Sequence, residues 1–228
     1  MTSEAGETRA SPGARGPWVE AELPLVLHVR EVMEGREPSH DFLHVVRVAT
    51  HAARIAEEVS ADVRVVRTAA LLHELVTFKK NDPRSVTAGD VCAEAALSLL
   101  IQRGAEPSFA RKVADAIRDH AFSKGAAPGS LESAVLQDAD RLDAIGAIGI
   151  ARCFATSADM KSAFYDEHDP FAVSRELDDK AFAVDHFAKK LLLLETRMHT
   201  APAKREARTR TAFLEAYLAQ LRHELAQA

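Results

Sequence analysis

Cysteine is scarce in this chain, with two residues among 228. Cys92 and Cys153 lie far apart and form no CxxC pair, which disfavours both a zinc knuckle and a disulfide framework. Scarce, unpaired cysteine is typical of proteins that work in a reducing compartment. We therefore expect a cytoplasmic protein.

An excess of basic residues is also missing, as is any long uncharged apolar stretch. The chain carries 34 acidic residues against 29 lysines and arginines, for a formal net charge of -5. Because a general nucleic-acid binder needs a basic surface to neutralise phosphates, we expect no strong binding to nucleic acid. No segment approaches the roughly 18 to 20 apolar residues that cross a bilayer, so we expect no membrane partner.

Residues 1–17 lack the apolar central region of a signal peptide. They are small, polar and rich in glycine and proline, which predicts a disordered tail. Residues 18–228 are long enough for one domain, and 47% of the chain is apolar. We expect a single compact domain with a substantial core.

Strand-like alternation is absent, whereas apolar residues recur every three or four positions through most of the chain. This period is typical of amphipathic helices, so we predict an all-α fold, a bundle of about seven or eight helices. The segment 158–180 is polar without strong periodicity and is predicted to be a loop or lid. The predicted helices cover about residues 18–34, 40–59, 62–78, 88–103, 109–120, 131–154, 181–198 and 204–228.

Residues with metal-binding side chains stand on three of these helices. His44 lies early in the second predicted helix, His73 and Glu74 lie in the third, and Asp140 lies in the sixth. Side chains from separate helices of a bundle can converge on one interior point. Imidazole nitrogens combined with carboxylate oxygens suit Mn²⁺, Fe²⁺, Co²⁺, Ni²⁺ or Zn²⁺ more than Ca²⁺. Either histidine taken alone could equally be a part-buried residue bonded to a backbone carbonyl.

Several motifs surround these residues. The most specific are His40-Asp41-x-x-His44-x-x-Arg47-Val48, Leu72-His73-Glu74, Ala116-Ile117-x-x-His120, Gln137-Asp138-Ala139-Asp140-Arg141-Leu142-Asp143 and Asp178-Asp179-Lys180. Together they resemble the HD-domain metal-dependent phosphohydrolases, and in particular the short bacterial branch that includes nucleotide pyrophosphohydrolases. The resemblance covers about residues 20–225, which implies that residues 18–228 form a single HD domain.

The resemblance implies a set of four metal ligands. His44 would be the first ligand, His73 and Glu74 the adjacent pair, and Asp140 the last. One departure from the family pattern is plain, since Glu74 occupies the position where the family has Asp. The extra methylene moves the carboxylate by about 1.5 Å. A glutamate can still bind a metal, but the metal or the geometry can change.

The activity implied by the resemblance is metal-dependent hydrolysis of a phosphate ester or phosphoanhydride of a small nucleotide, for example of a nucleoside triphosphate to monophosphate and pyrophosphate. One divalent transition metal is expected, Mn²⁺ first, with Co²⁺, Ni²⁺, Fe²⁺, Zn²⁺ or Mg²⁺ as alternatives. The candidate catalytic residues are His73, Glu74, Asp41 and His120. The candidate phosphate-binding residues are Lys80, His120, Arg141, Lys180, His186 and Lys190.

Some charged residues have a second interpretation. Lys80 follows a helix end, where a cation often only complements the helix dipole. Arg47 either holds a carboxylate of the site or pairs on the surface. Asp143 is a candidate partner of the substrate or of Arg141, and Asp138 is interpreted as structural.

Other classes of function also stay open from the sequence. Because Glu74 replaces the Asp of the family, the protein could be a non-catalytic nucleotide-binding or sensing module with a weakened metal site. The charged C-terminal helix could instead dock a protein partner. Dimerisation through a helix is a further alternative.

Overall fold

The computed structural model describes residues 18–78, 82–120 and 127–227. Within these ranges the chain forms nine α-helices and no β-strand, so the prediction of an all-α fold is confirmed. The predicted tail, residues 1–17, lies outside the described residues. The helices are α1 (Leu23–Val32), α2 (Phe42–Val59), α3 (Val63–Leu72), α4 (Ala88–Gln102), α5 (Pro107–Arg118), α6 (Leu131–Asp143), α7 (Gly146–Asp159), α8 (Ala183–Lys189) and α9 (Ala201–Leu225).

The helix predicted over 131–154 is two helices, which explains why the count exceeds the prediction. α6 ends at Asp143 and α7 begins at Gly146. Gly146 has a φ of 76°, a left-handed conformation that residues with side chains rarely adopt. The chain therefore changes direction there. The helix predicted over 181–198 is also shorter than expected, since α8 ends at Lys189 and two short 3₁₀ turns follow.

The end of α3 differs from the prediction in a way that concerns the predicted ligands. The helix was expected to continue to residue 78 but ends at Leu72. His73 is its C-terminal cap residue, and Glu74 lies in the turn that follows. The pair therefore lies at the end of the helix and not within it.

The centre of the bundle is α2, which packs against both α3 and α6. Its inward stripe recurs every three or four residues, the spacing that places side chains on one helix face. α5 packs on the other side of α3, and α9 covers α6 and α7. This arrangement brings the first turn of α2 close to the end of α3 and to the second half of α6. The fully buried stripe of α2 is Val45, Val48, Ala49, Ala52, Ile55 and Ala56.

α9 is anchored to α6 through the fully buried carboxylate of Asp138. This carboxylate accepts hydrogen bonds from the backbone N–H groups of His199 and Thr200, both at 2.8 Å, and from the Thr200 hydroxyl at 2.7 Å. Thr200 is the N-cap of α9, so Asp138 satisfies donors at a helix start that would otherwise lack partners. Neither α9 nor any other helix of the described ranges combines the length and apolarity needed to cross a membrane.

The segment between α7 and α8 is tied together at its base and along its length. The backbone N–H of Ala163 donates to the carbonyl of Ala181 at 2.9 Å, which joins the two ends of the segment. Arg175 forms a bidentate ion pair with the buried Asp185 of α8, with N–O distances of 2.6 and 2.8 Å. The role of this segment as a lid stays a prediction.

Close packing at the start of α7 leads to a prediction about Gly149. A Cβ at this position would overlap the backbone carbonyl group of Ala144, a residue of the turn between α6 and α7. Because the obstacle is backbone, Gly149→Ala should cost about 1 to 3 kcal/mol of the free energy of unfolding. Urea unfolding monitored by circular dichroism would measure the loss, with Gly129→Ala as a control at a position where no neighbour lies closer than 3.8 Å.

Candidate metal centre

Three of the predicted ligands converge at the centre of the bundle. His44 contributes from the first turn of α2, His73 from the end of α3, and Asp140 from α6. One ligand atom from each lies within 4.8 Å of the others. The Nε2 atoms of His44 and His73 are 3.2 Å apart, and His44 Nε2 lies 3.6 Å from Asp140 Oδ1. Both histidines are buried, whereas the Asp140 side chain is 25% exposed, so the cluster is open to solvent on the Asp140 side.

The hydrogen bonds of the two histidines determine which ring nitrogen faces the cluster. His44 Nδ1 lies 2.7 Å from Asp143 Oδ2, and His73 Nδ1 lies 2.7 Å from the carbonyl oxygen of Ala70. Because carbonyl and carboxylate oxygens only accept, both Nδ1 atoms carry a proton, and in the neutral form of each ring the Nε2 atom presents a lone pair. Two such lone pairs facing each other at 3.2 Å repel unless a cation or a proton lies between them. Two imidazoles and a carboxylate fit a divalent transition metal.

Asp143 supports the cluster from behind His44. Asp140 and Asp143 are three residues apart on α6 and therefore lie on the same face. The His44 ring lies between them, with Nε2 towards Asp140 and Nδ1 bonded to Asp143. Asp143 is fully buried and also accepts two hydrogen bonds from Arg47, at 2.6 and 3.0 Å, and one from Arg152 at 2.9 Å. Such an outer carboxylate fixes the tautomer and orientation of a histidine ligand.

The electrostatics of the cluster favour a neutral His73 and ionised carboxylates. Burial lowers the pKa of His73 to about 4, against the opposing effect of Glu74. Burial alone would raise the pKa of Asp140, but His44, His73 and Arg152 together lower it to about 2. Burial likewise opposes ionisation of Asp143, yet its hydrogen bonds to His44 and Arg47 hold its pKa well below the usual range. These are the protonation states that metal binding requires.

The lowered pKa of His73 predicts how the metal-free protein responds to acid. Between pH 6.5 and 4 the unfolded chain binds a proton at His73, whereas the folded chain does not. The contribution of His73 to the free energy of unfolding is therefore fully present above pH 6.5 and falls as the pH is lowered towards 4. The loss attributable to His73 should be on the order of 3 kcal/mol. Urea titrations in EDTA at several pH values should show a shallower pH dependence for His73→Gln than for wild type. The exposed His223→Gln should keep the wild-type slope.

Glu74 and His120 flank the cluster differently. The Glu74 carboxylate is not part of the three-residue group, and the backbone carbonyl of Glu74 accepts a hydrogen bond from Arg36 at 2.6 Å. Its place as a fourth ligand stays a prediction. The buried His120 ring lies 5.2 Å from that of His73 between centroids, and its Nδ1 is bonded to the carbonyl of Ile117 at 2.5 Å. The Nε2 atom is therefore the ring nitrogen of His120 that is left for other contacts.

Asp41 and Arg141 have structural contacts that the sequence did not suggest. Asp41 is the N-cap of α2, and its carboxylate accepts the backbone N–H of His44 at 3.0 Å. The buried guanidinium of Arg141 donates to the carbonyl of Arg197 at 2.6 Å and to Gln137 at 2.7 Å, on the side of α6 that faces α9. The predicted roles of Asp41 in catalysis and of Arg141 in phosphate binding stay predictions.

The other predicted phosphate-binding residues lie elsewhere in the fold. Lys80 lies outside the described residues. Lys180 is exposed on the segment before α8. His186 Nδ1, on α8, contacts Asp179 at 3.0 Å, and Lys190 follows the end of α8. Among the helices, α8 packs mainly on α7. A phosphate role for these residues stays a prediction.

The sequence analysis did not identify Arg152, and it left two alternatives for Arg47, a contact with a carboxylate of the site or an ion pair on the surface. The structure places Arg47 on the buried carboxylate of Asp143, which resolves that alternative in favour of the site. Arg152 reaches the same carboxylate from α7. The signal that could have identified Arg152 is its position as the single basic residue of the largely apolar helix Gly146–Asp159.

Comparisons with known proteins agree with this geometry. The HD domain family model matches residues 41–145, which include all three clustered residues. The uncharacterized protein YpgQ of Bacillus subtilis (strain 168) is 33% identical over 201 residues, which cover 86% of this chain and 90% of YpgQ. The crystal structure of B. subtilis YpgQ in complex with ADP is 34% identical and superposes with a TM-score of 0.70, covering 88% of this chain and 93% of that chain.

A second solved structure leads to the same family. An HD-superfamily hydrolase from Bacillus thuringiensis is 27% identical, with a TM-score of 0.68 over 92% of this chain and 98% of that chain. HD domains depend on a metal, and the described structure brings His44, His73 and Asp140 close enough to hold one. The chain therefore belongs to the HD-domain superfamily of phosphohydrolases.

Proposed function

We propose that this protein is a metal-dependent phosphohydrolase that acts on a small nucleotide. The observation that carries the proposal is the convergence of His44, His73 and Asp140 in a member of the HD superfamily. The crystal structure of YpgQ in complex with ADP supports a nucleotide as the ligand. The specific reaction that we propose is cleavage of a phosphoanhydride or phosphate ester, with a nucleoside triphosphate yielding monophosphate and pyrophosphate.

In this proposal the residues of the chain hold the metal and orient the substrate. His44 and His73 would bind the cation through Nε2, and Asp140 would bind it through a carboxylate oxygen. Once bound, a divalent cation supplies Lewis-acid activation of water and of the phosphoryl group. The solvent-open side at Asp140 is where the substrate phosphate would enter. His120 presents Nε2 beside His73, and we assign it a phosphate-binding or proton-donating role.

Mn²⁺ is the metal that we propose, with Co²⁺, Ni²⁺, Fe²⁺, Zn²⁺ and Mg²⁺ as alternatives. Two imidazoles disfavour a site built for Mg²⁺, which prefers oxygen ligands, and the carboxylate suits Mn²⁺. The metal content of the purified protein, measured by mass spectrometry before and after dialysis against EDTA, would identify the ion. A His73→Ala protein prepared in parallel gives the background from contaminating metal.

The activity can be tested on the purified protein with Mn²⁺, Co²⁺, Ni²⁺ or Mg²⁺ and a panel of nucleoside mono-, di- and triphosphates. Release of phosphate or pyrophosphate is measured for wild type, for His73→Ala and for the exposed control His223→Ala. We expect turnover in wild type and in the control, and none in His73→Ala. If wild type never exceeds His73→Ala with any metal, the protein is not a phosphohydrolase.

A second candidate function is a nucleotide sensor without catalysis. The observation that favours it is the position of Glu74, which replaces the Asp of the family and stands outside the three-residue cluster. A sensor would bind nucleotide in calorimetry without hydrolysing it, and Glu74→Asp should then gain activity. A Glu74→Asp protein that is no more active than wild type would weaken the sensor hypothesis.

A further inference from the structure

We infer that Arg152 is a substrate-binding residue that contacts a phosphoryl group of the nucleotide. This inference rests on the proposed function and extends it to a residue of α7, outside the helices that carry the cluster. One guanidinium nitrogen of Arg152 donates to Asp143 Oδ2 at 2.9 Å. The same contact is an ion pair between the two side chains.

Asp143 does not need Arg152 as a counter-charge. The carboxylate already accepts two hydrogen bonds from Arg47 and one from His44, so both of its oxygens are satisfied and its charge is matched by Arg47. The charge of Arg152 is offset by Asp140, the neighbouring carboxylate on the same face of α6, as long as no cation is bound. A divalent cation held by Asp140 would take up that negative charge, and an anion that enters the site would then balance Arg152.

The position of Arg152 along α7 places it beside the path to the cluster. Thr156, one turn further along α7, contacts the hydroxyl of Ser39 at 2.9 Å, just before the start of α2. Asp143, at the other end of this contact zone, is bonded to His44. The side chain of Arg152 therefore lies where α7 meets the N-terminal end of α2, which carries His44, the first predicted metal ligand. Its side chain is 14% exposed, so solvent reaches it although it is anchored.

The chemistry of arginine fits a phosphate contact at this place. A guanidinium has five N–H donors in a planar fork, and it binds phosphoryl oxygens through two parallel hydrogen bonds. The bond to Asp143 uses one donor and orients the group, which leaves the other donors for the ligand.

The test separates binding of the metal from binding of the nucleotide. Isothermal titration calorimetry measures Mn²⁺ binding alone, and then ADP binding to the protein saturated with Mn²⁺. For Arg152→Gln we expect ADP affinity to fall by about 10- to 100-fold, the loss of a charged hydrogen-bonded pair. Mn²⁺ affinity should be unchanged or higher, because a positive charge near the cation has been removed.

Arg47→Gln is the matched control, since Arg47 binds the same carboxylate with two donors. It should weaken Mn²⁺ binding through the loss of support for His44. Arg152→Lys keeps the charge without the planar fork, and we expect a loss of ADP affinity smaller than that of Arg152→Gln. If Arg152→Gln does not fold, the ADP affinity of Arg152→Lys still tests the inference.

Two different results would overturn the inference. If wild type binds ADP but both Arg152 variants bind it equally well, or weaken Mn²⁺ as Arg47→Gln does, Arg152 only supports Asp143. If wild type itself binds neither ADP nor inorganic pyrophosphate in the presence of Mn²⁺, the proposed function fails, and this inference fails with it.

Discussion

Replacing His44 by alanine is expected to abolish hydrolysis and to weaken Mn²⁺ binding by more than about 100-fold. The loss should exceed the roughly 10- to 100-fold effect of mutating a residue that only supports a metal ligand, because His44 is a predicted ligand itself. His44 is the central residue of the cluster, because its ring lies between His73 and Asp140 on one side and Asp143 on the other. Without it, two protein ligands remain, and Asp143 loses the donor that links it to the metal.

The measurement is calorimetric titration of Mn²⁺ into EDTA-treated, dialysed protein, together with phosphate release from the nucleotide panel. His223→Ala, an exposed substitution on α9, should leave both quantities at their wild-type values. Circular dichroism should show that His44→Ala keeps its helical content. Wild-type Mn²⁺ affinity in a folded His44→Ala protein would mean that the metal lies elsewhere.

Replacing Asp143 by alanine is expected to have the second largest effect, and it should change both stability and metal binding. The substitution leaves His44 Nδ1, Arg47 and Arg152 without their common acceptor in a buried setting. Breaking one side of a buried ion pair typically costs about 3 to 5 kcal/mol. Loss of the outer carboxylate should also lower Mn²⁺ affinity by about 10- to 100-fold, because the His44 ring is no longer held in one tautomer.

Urea unfolding in EDTA gives the stability of the metal-free protein, and Mn²⁺ titration gives the affinity. Asp115→Ala, at an exposed position of α5, is the matched control and should change neither. Asp143→Asn keeps the shape of the side chain without its charge, so it should fall between wild type and Asp143→Ala. A loss of less than about 1 kcal/mol with unchanged Mn²⁺ affinity would show that Asp143 does not support the site.

Several features of the site could be predicted because they depend on local patterns. The three-to-four-residue period of α2 predicted its buried face, and the motifs around His44, His73 and Asp140 identified the residues that the structure brings together. The helix boundaries were less predictable. The break before Gly146 depends on a left-handed φ, and a pattern of apolar residues carries no information on it.

The direction in which an arginine side chain points depends on helix rotation. Arg141 directly follows Asp140 in the sequence and was predicted to bind phosphate. Successive residues on a helix point about 100° apart, so once Asp140 faces α2 and α3, Arg141 must face another neighbour. That neighbour is the segment before α9, where the guanidinium bonds to the Arg197 carbonyl. Arg152, from α7, contacts Asp143 beside the cluster.

The sequence by itself determined the all-helical class, the family and the residues able to bind a metal, because helical periodicity and motif spacing are properties of short stretches of chain. Only the tertiary structure decided which ring nitrogen of His44 and His73 faces the cluster, that these two residues and Asp140 come together, and that Asp143 is shared by Arg47 and Arg152. These outcomes depend on the rotation and approach of α2, α3, α6 and α7 relative to one another. Packing between helices distant in the sequence sets that approach, and no local pattern encodes it.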